Sequence, residues 1–577
     1  MRRFLTLLLL ALAVTAAAQP VDTAKYAFPV RHVAGLYAAN FGEIRPAHFH
    51  AGVDIKTDGV EGKELVAVAD GYISRIVVTP SGYGRALYLT LQDGSTAVYG
   101  HLSRFRDDLE ACMQADRYGR SSNNVDLYFP KGRFPVHKGE LVGYSGDTGS
   151  SGGPHLHFEL RAAGSERRIN TVRSGMFRPK DTTPPLMLQL HYVQVDTVRG
   201  VALRSQPQSY NLVREAAGRY RTVQRDPLPV GPRGYFIIEV SDRRDGVSNT
   251  FGIWRLTARL DGEAIFEYRM DGFRYEQARF SDAVSWYARK LQSRNEVIRL
   301  ARLTGAPKEF YPTLREQGVV RTEPNQTRTL CIEAEDDCGN ISTLTCTIRG
   351  SAAPFRATAD STSLVLYPDR NNQVACGERL NARIPAGALY EALFYQPEEL
   401  PQPVVTGTSG VAVLSPAVRI LPAEVPLAKE VTIALRTEVP RPLRRQTVLA
   451  GYNPATKRLS YIGGSCAGDE VTARTRTTGW IVAVADTLAP TIHPQFNEGA
   501  DLTRSETLRF RVSDNFAGVI SGTLTIDGRW VPCDRLPMRG LIFHRFDGAP
   551  EHRTHTVHFT ATDAAGNTAR WEGTFYR

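Results

Sequence analysis

Gly153-Pro154-His155-Leu156-His157-Phe158-Glu159-Leu160 alternates in the manner of a β-strand, so His155 and His157 leave the same face. His50-Ala51-Gly52-Val53-Asp54-Ile55 also reads as extended, and a spacing of four again puts two polar side chains on one face. With His101 between them, four imidazoles and one carboxylate are available, a set that suggests a divalent-metal centre. Catalytic zinc uses three protein ligands and a water in tetrahedral array. Two histidines and a carboxylate meet that need without cysteine. Two further histidines can then act on the water and on a developing oxyanion, which is enough for metal-assisted amide hydrolysis.

The rest of the chain is β-rich with turn formers between short apolar runs, and a mainly β fold is expected. From 33 to 160, stretches 65–69, 72–78, 86–91 and 95–102 read as strands, and Gln92-Asp93-Gly94-Ser95 is a hairpin signal. Residues 103–135 interrupt this rhythm. A short helix is predicted over 105–115, and 117–124 reads as a polar loop. The glycine-rich run Gly146-Asp147-Thr148-Gly149-Ser150-Ser151-Gly152-Gly153 then feeds the histidine strand, letting backbone come close to a ligand.

Past 181 the composition changes to β-sandwich modules, and a divergent repeat emerges. Asp181-Thr182-Thr183-Pro184-Pro185 corresponds to Asp486-Thr487-Leu488-Ala489-Pro490, and Val240-Ser241-Asp242 to Val512-Ser513-Asp514. Asp336-Asp337-Cys338-Gly339-Asn340 corresponds to Asp563-Ala564-Ala565-Gly566-Asn567. These turns are similar to those of bacterial immunoglobulin-like or fibronectin-like modules. The repeated Asp residues read as turn formers, which needs fewer assumptions than calcium binding. The first copy carries an insertion over 263–325 with a helical look at 283–300. The domains expected are 30–175, 181–350, 351–485 and 486–577, after a signal peptide over 1–18.

That leader has a basic start, a short apolar run and a small-residue cleavage site. Export is therefore expected, to the periplasm, the cell envelope or the exterior, with no membrane span once the leader is cut. Of the formal net charge of +10, two units belong to the leader. The remaining excess suits contact with an anionic polymer such as a cell wall. No basic run with interleaved aromatics points to nucleic acid. The 7 cysteines fit an oxidising compartment; Cys331 with Cys346, and Cys376 with Cys466, are plausible disulfides, and an odd count leaves at least one thiol over.

His50-x-Gly52-x-Asp54, Tyr99-Gly100-His101-Leu102 and Gly146-x-Thr148-Gly149-x-Ser151-x-Gly153-Pro154-His155-Leu156-His157-Phe158-Glu159 together resemble the lysostaphin/LytM-type zinc metallopeptidases. The resemblance covers residues 34–165. It implies an N-terminal antiparallel β-groove metallopeptidase domain, here followed by three β-sandwich-like domains. It further implies that His50, Asp54 and His157 hold one Zn2+, and that His101 and His155 flank the open position as general base and oxyanion stabiliser. The implied activity is cleavage of peptide bonds in peptidoglycan stems or cross-links. The sandwich modules would then bind the wall or protein partners in the envelope. Glycine-rich proteins as substrate, or a non-catalytic wall-binding scaffold, are the alternatives.

Two departures from the family pattern stand out. The 103–135 excursion is long, and would either shape the groove or cover the site. Some members also use a tyrosine ahead of the first ligand; here only Tyr37 is at hand. Of the remaining polar groups, Glu159 falls on the ligand face and is a candidate to orient a histidine. His48 is at most a neighbour of the site, and His137 reads as an exposed strand start.

Overall fold

In the computed structural model of the protein, which describes residues 25–224, 226–358 and 363–577, strands dominate every part of the chain. The expected signal peptide lies outside the described residues. The histidine motifs sit on a 10-stranded sheet. Its main strands are β1 (Tyr37–Ala39), β2 (Val53–Lys56), β3 (Gly71–Val78), β4 (Arg85–Leu91), β5 (Thr96–Gly100), β6 (Val125–Tyr128) and β7 (His155–Arg161). They run in the order β1-β2-β7-β5-β4-β3-β6, every neighbouring pair antiparallel.

Alternation along β4 explains why the sheet is covered on both sides. Leu87, Leu89 and Leu91 enter the main core, while Ala86 and Tyr88 pack with Val98 on the opposite face. The β4–β5 hairpin turns where the sequence predicts. Gly94 takes φ +83°, and the Asp93 carboxylate accepts the Ser95 backbone N–H at 3.0 Å.

The 103–135 excursion builds helix α1 (Asp107–Arg120), longer than predicted, and the edge strand β6. It buries Leu109, Met113 and Arg117, so the stretch read as a polar loop includes a buried cation. The edge the excursion forms lies at the opposite end of the sheet from β1 and β2, and its contacts go to the last part of the chain.

Residues 186–350 form a 13-stranded sheet that folds over itself. The strand Gln208–Ala216 makes the corner: its first half pairs with Leu186–Val198 and its second with Arg219–Thr222. The insertion in this part reaches back to the histidine sheet. Gly272–Phe273 pairs with Arg168–Ile169, which in turn pairs with β7. Phe273 packs on Phe41 and Phe49, with ring centroids 5.4 and 5.5 Å apart, directly beneath the first histidine motif. A single buried cluster consequently runs through both parts.

The helix predicted at 283–300 is absent as such. Only the one-turn helices Ser281–Val284 and Tyr287–Lys290 form, followed by the strand Glu296–Arg299. Val297 and Ile298 are β-branched and complete the sheet against Ile238–Glu239, so tertiary pairing overrides the local pattern.

Residues 364–486 hold a 5-stranded and a 6-stranded sheet around one core, with a 2-stranded ribbon beside them, and residues 491–577 a 4-stranded and a 5-stranded sheet around another. Neither plausible disulfide forms; all 7 thiols are free. Cys331 is opposite Thr345 and Cys346 opposite Leu330, which sends the two sulfurs to opposite faces of the hairpin. Cys376 and Cys466 occupy the two edge strands of a 5-stranded sheet.

The last unit docks on the excursion. Asp534 is buried between Arg85 and Arg117, each 2.7 Å from one of its oxygens. Asn123 Oδ1 accepts the Cys533 N–H at 2.7 Å, and Tyr118 donates to Asp547. Arg539 pairs with Asp147 inside the glycine-rich run.

Candidate metal centre

Antiparallel register brings the motifs together. His157 on β7 lies directly opposite Asp54 on β2 and opposite Gly100 on β5. Cross-strand partners share a face, so Asp54 and His157 meet with no loop involved. His50 reaches them because Gly52 lets the chain cross β7 closely: a Cβ there would fall 2.1 Å from the Phe158 carbonyl oxygen. The spacing His-x-Gly-x-Asp thus has a steric cause.

Three ligand atoms converge. Asp54 Oδ1 is 3.0 Å from His50 Nε2 and 2.9 Å from His157 Nδ1, and the two nitrogens are 3.1 Å apart. Adjacent corners of a tetrahedron with metal bonds of 2.0–2.1 Å are about 3.3 Å apart. The three groups therefore fit one small cation, and all are buried.

The outer nitrogens fix the tautomers. His50 Nδ1 is 2.7 Å from the Asn40 carbonyl, which can only accept, so Nε2 is left bare toward the centre. His157 Nε2 faces Glu159 Oε1 at 3.2 Å, leaving Nδ1 for the centre. Burial works against the Glu159 anion, but His157, Arg161 and Arg168 hold its carboxyl far below the usual range. Burial also opposes charge on His157, yet Asp54 and Glu159 outweigh it and raise the imidazole to about 9. A cation would bind there in competition with a proton.

His101 and His155 close the cluster, their rings 4.8 Å apart. His101 sits just beyond β5 with φ +65°, a left-handed conformation that turns its side chain into the site. Its Nδ1 donates to the Thr148 carbonyl at 2.8 Å. Burial, then His157 and His155, push its imidazole down to about 3. His155 Nδ1 donates to the Gly153 carbonyl at 2.8 Å, and its Nε2 lies 3.5 Å from Asp54 Oδ1. All five side chains singled out in the sequence are brought together.

Two participants were not read from the sequence. Arg45 contacts Asp54 Oδ2 at 3.4 Å. Tyr83 donates to Glu159, and its ring lies 5.3 Å from that of His157. Tyr83 stands in a Ser-Gly-Tyr-Gly turn that carries no metal-ligand spacing, so only its place opposite Gly100 reveals it. Tyr37 is buried in β1 under Arg244 and is no part of the cluster. His48 is exposed, as is His137.

No family model matches the chain. A metalloprotease of Haemophilus influenzae is 33% identical over 133 residues, 23% of this chain and 21% of that protein. The DD-carboxypeptidase/endopeptidase Mpg of Neisseria meningitidis serogroup B is 30% identical over 133 residues, 23% of this chain and 24% of its own length. The chain thus spans under a quarter of the relatives it matches. Among solved structures, a zinc-containing peptidase from Vibrio cholerae matches 23% of this chain and 35% of its own, at 23% identity and TM-score 0.18. The catalytic domain of lysostaphin from Staphylococcus simulans matches 22% and 78%, at 25% identity and TM-score 0.16. Over 133 residues the chain is thus similar to a metalloprotease and to a DD-carboxypeptidase/endopeptidase.

Proposed function

We propose that the protein is an exported zinc endopeptidase that cleaves peptide bonds in peptidoglycan. The observation that carries this reading is the convergence of His50 Nε2, Asp54 Oδ1 and His157 Nδ1 within 3.1 Å of one another, flanked by two further imidazoles. The name of the Neisseria relative, a DD-carboxypeptidase/endopeptidase, supports the substrate class. No helix among the described residues is long and apolar enough to cross a membrane.

His50, Asp54 and His157 would hold the zinc. Bound there, it would supply a Lewis acid for the scissile carbonyl and bring a water near neutral pKa. His101, neutral at physiological pH with its Nδ1 proton tied to Thr148, offers Nε2 as the acceptor for the proton of the attacking water. His155, its ring anchored through Nδ1 to the Gly153 carbonyl, turns Nε2 toward the site, where it is placed to meet an oxyanion. Glu159 and Asn40 hold the ligand imidazoles in orientation.

The test is digestion of purified sacculi by zinc-loaded protein, with chromatographic analysis of the muropeptides. New peptide termini that vanish in His101→Ala and His157→Ala are expected. Intact sacculi with cleaved glycine-rich polypeptide would move the substrate to proteins. Wall binding without cleavage of either would leave a scaffold.

A further inference from the structure

Outside the histidine cluster, two groups of acidic side chains recur at equivalent places of the repeat. Asp181, Asp242 and Asp336 bring oxygens within 4.8 Å of one another, and so do Asp486, Asp514 and Asp563. The turn-forming reading of these residues explains part of their hydrogen bonding. Asp336 Oδ1 accepts the N–H groups of Cys338, Gly339 and Asn340 at 2.7–2.9 Å, and Asp563 Oδ1 accepts that of Asn567 at 2.8 Å. It leaves other oxygens unexplained. Asp242 is 0% exposed and neither of its oxygens has a partner; Asp486 is 0% exposed and its Oδ2 has none. Asp181 Oδ2 and Asp514 Oδ1 are likewise buried and unpartnered.

Carboxylate oxygens taken from water without a donor are costly, and three together are more so. The nearby cation relieves the first group only in part: Arg244 acts on Asp242 and Asp181 through space but gives its hydrogen bond to Asp337. At the corresponding position of the second group stands Phe516. The same unmet need in two divergent copies points to a shared ligand rather than to a local accident of packing.

We propose that each triad binds one hard divalent cation of the calcium class. All-oxygen carboxylate sets select calcium or magnesium over softer metals, and calcium accepts the irregular geometry of turns. Each cation would pin the chain entering a module to that module's last hairpin. Asp181 lies on the segment leading from the histidine domain, and Asp486 ends the strand leading from the preceding unit. Asn567 Nδ2 already bonds the Asp486 carbonyl at 2.9 Å, and Asn340 Nδ2 that of Asp181 at 3.4 Å. The cations would therefore set the angle at two junctions.

Equilibrium dialysis with radioactive calcium, on full-length protein carrying one equivalent of zinc, tests this. Calcium is raised to about 5 mM, above the 10⁻⁴–10⁻³ M range of extracellular calcium modules. Two ions per chain are expected for the wild type, one for Asp242→Asn, one for Asp514→Asn and none for the double variant. The ion retained by each single variant shows that the variant is folded. Dialysis into calcium-free buffer, with the zinc retained, should lower the wild-type melting temperature and leave that of the double variant unmoved. Absence of both calcium and magnesium binding in the wild type would overturn the proposal, as would two ions persisting in the double variant.

Discussion

Arg85 Nη2 donates to Asp534 Oδ2 at 2.7 Å across 449 residues of sequence, and both side chains are buried. The pair ties the last unit to β4, two strands from the histidine strand β7.

Asp534→Ala should destabilise the protein by about 3–5 kcal/mol, because Arg85 and Arg117 would be left buried without their anion. The pH dependence follows from the same contact. Burial alone would raise the Asp534 carboxyl, but Arg85 and Arg117 outweigh it and hold the group far below its usual range. Its contribution is whole above the unfolded value of about 3.9 and is lost as pH falls below that value. Thermal denaturation of wild type and Asp534→Asn at pH 7 and at stepwise lower pH should show the gap between them narrowing with acid. A constant gap would contradict the assignment.

His101→Ala should lower peptidase activity by about 10²–10⁴-fold while leaving zinc content unchanged, since its role lies in proton transfer. Metal analysis beside turnover separates this from His157→Ala, which should lose both.

Glu159→Gln keeps an acceptor for the His157 Nε2 proton but removes the negative charge behind it. Metal affinity should fall by about 10–100-fold. Competition with a chromophoric chelator measures this directly, and unchanged affinity would reduce Glu159 to a structural partner of Arg161, Arg168 and Tyr83.

Phe273→Ala should cost about 3–5 kcal/mol in stability, typical for a fully buried aromatic ring. Phe273 is 1% exposed and supports Phe49, the residue before His50. Zinc affinity should fall with it, although Phe273 lies far along the chain from every ligand. Denaturant unfolding with metal titration checks both.

The histidine motifs were legible because the geometry within each is local. His155 and His157 obey strand parity, and the Gly52 crossing is written into the first motif. Arg45 and Tyr83 were not legible, since their relation to Asp54 and Glu159 exists only once the strands are paired. The helix expected at 283–300 failed for a related reason: Val297 and Ile298 take their conformation from strand partners some 60 residues upstream. The acidic triads show a third case. Their turn chemistry was evident in the sequence, whereas the unpartnered oxygens became visible only with burial.

The pairing of Gly272–Phe273 with Arg168–Ile169 has a practical consequence. A fragment cut at 175 would strip a neighbour from the ladder two rungs removed from the ligands, exposing raw amide and carbonyl groups to other molecules. The part that carries the histidine cluster is not a detachable cassette, and recombinant work on it should carry the chain through residue 350 at least.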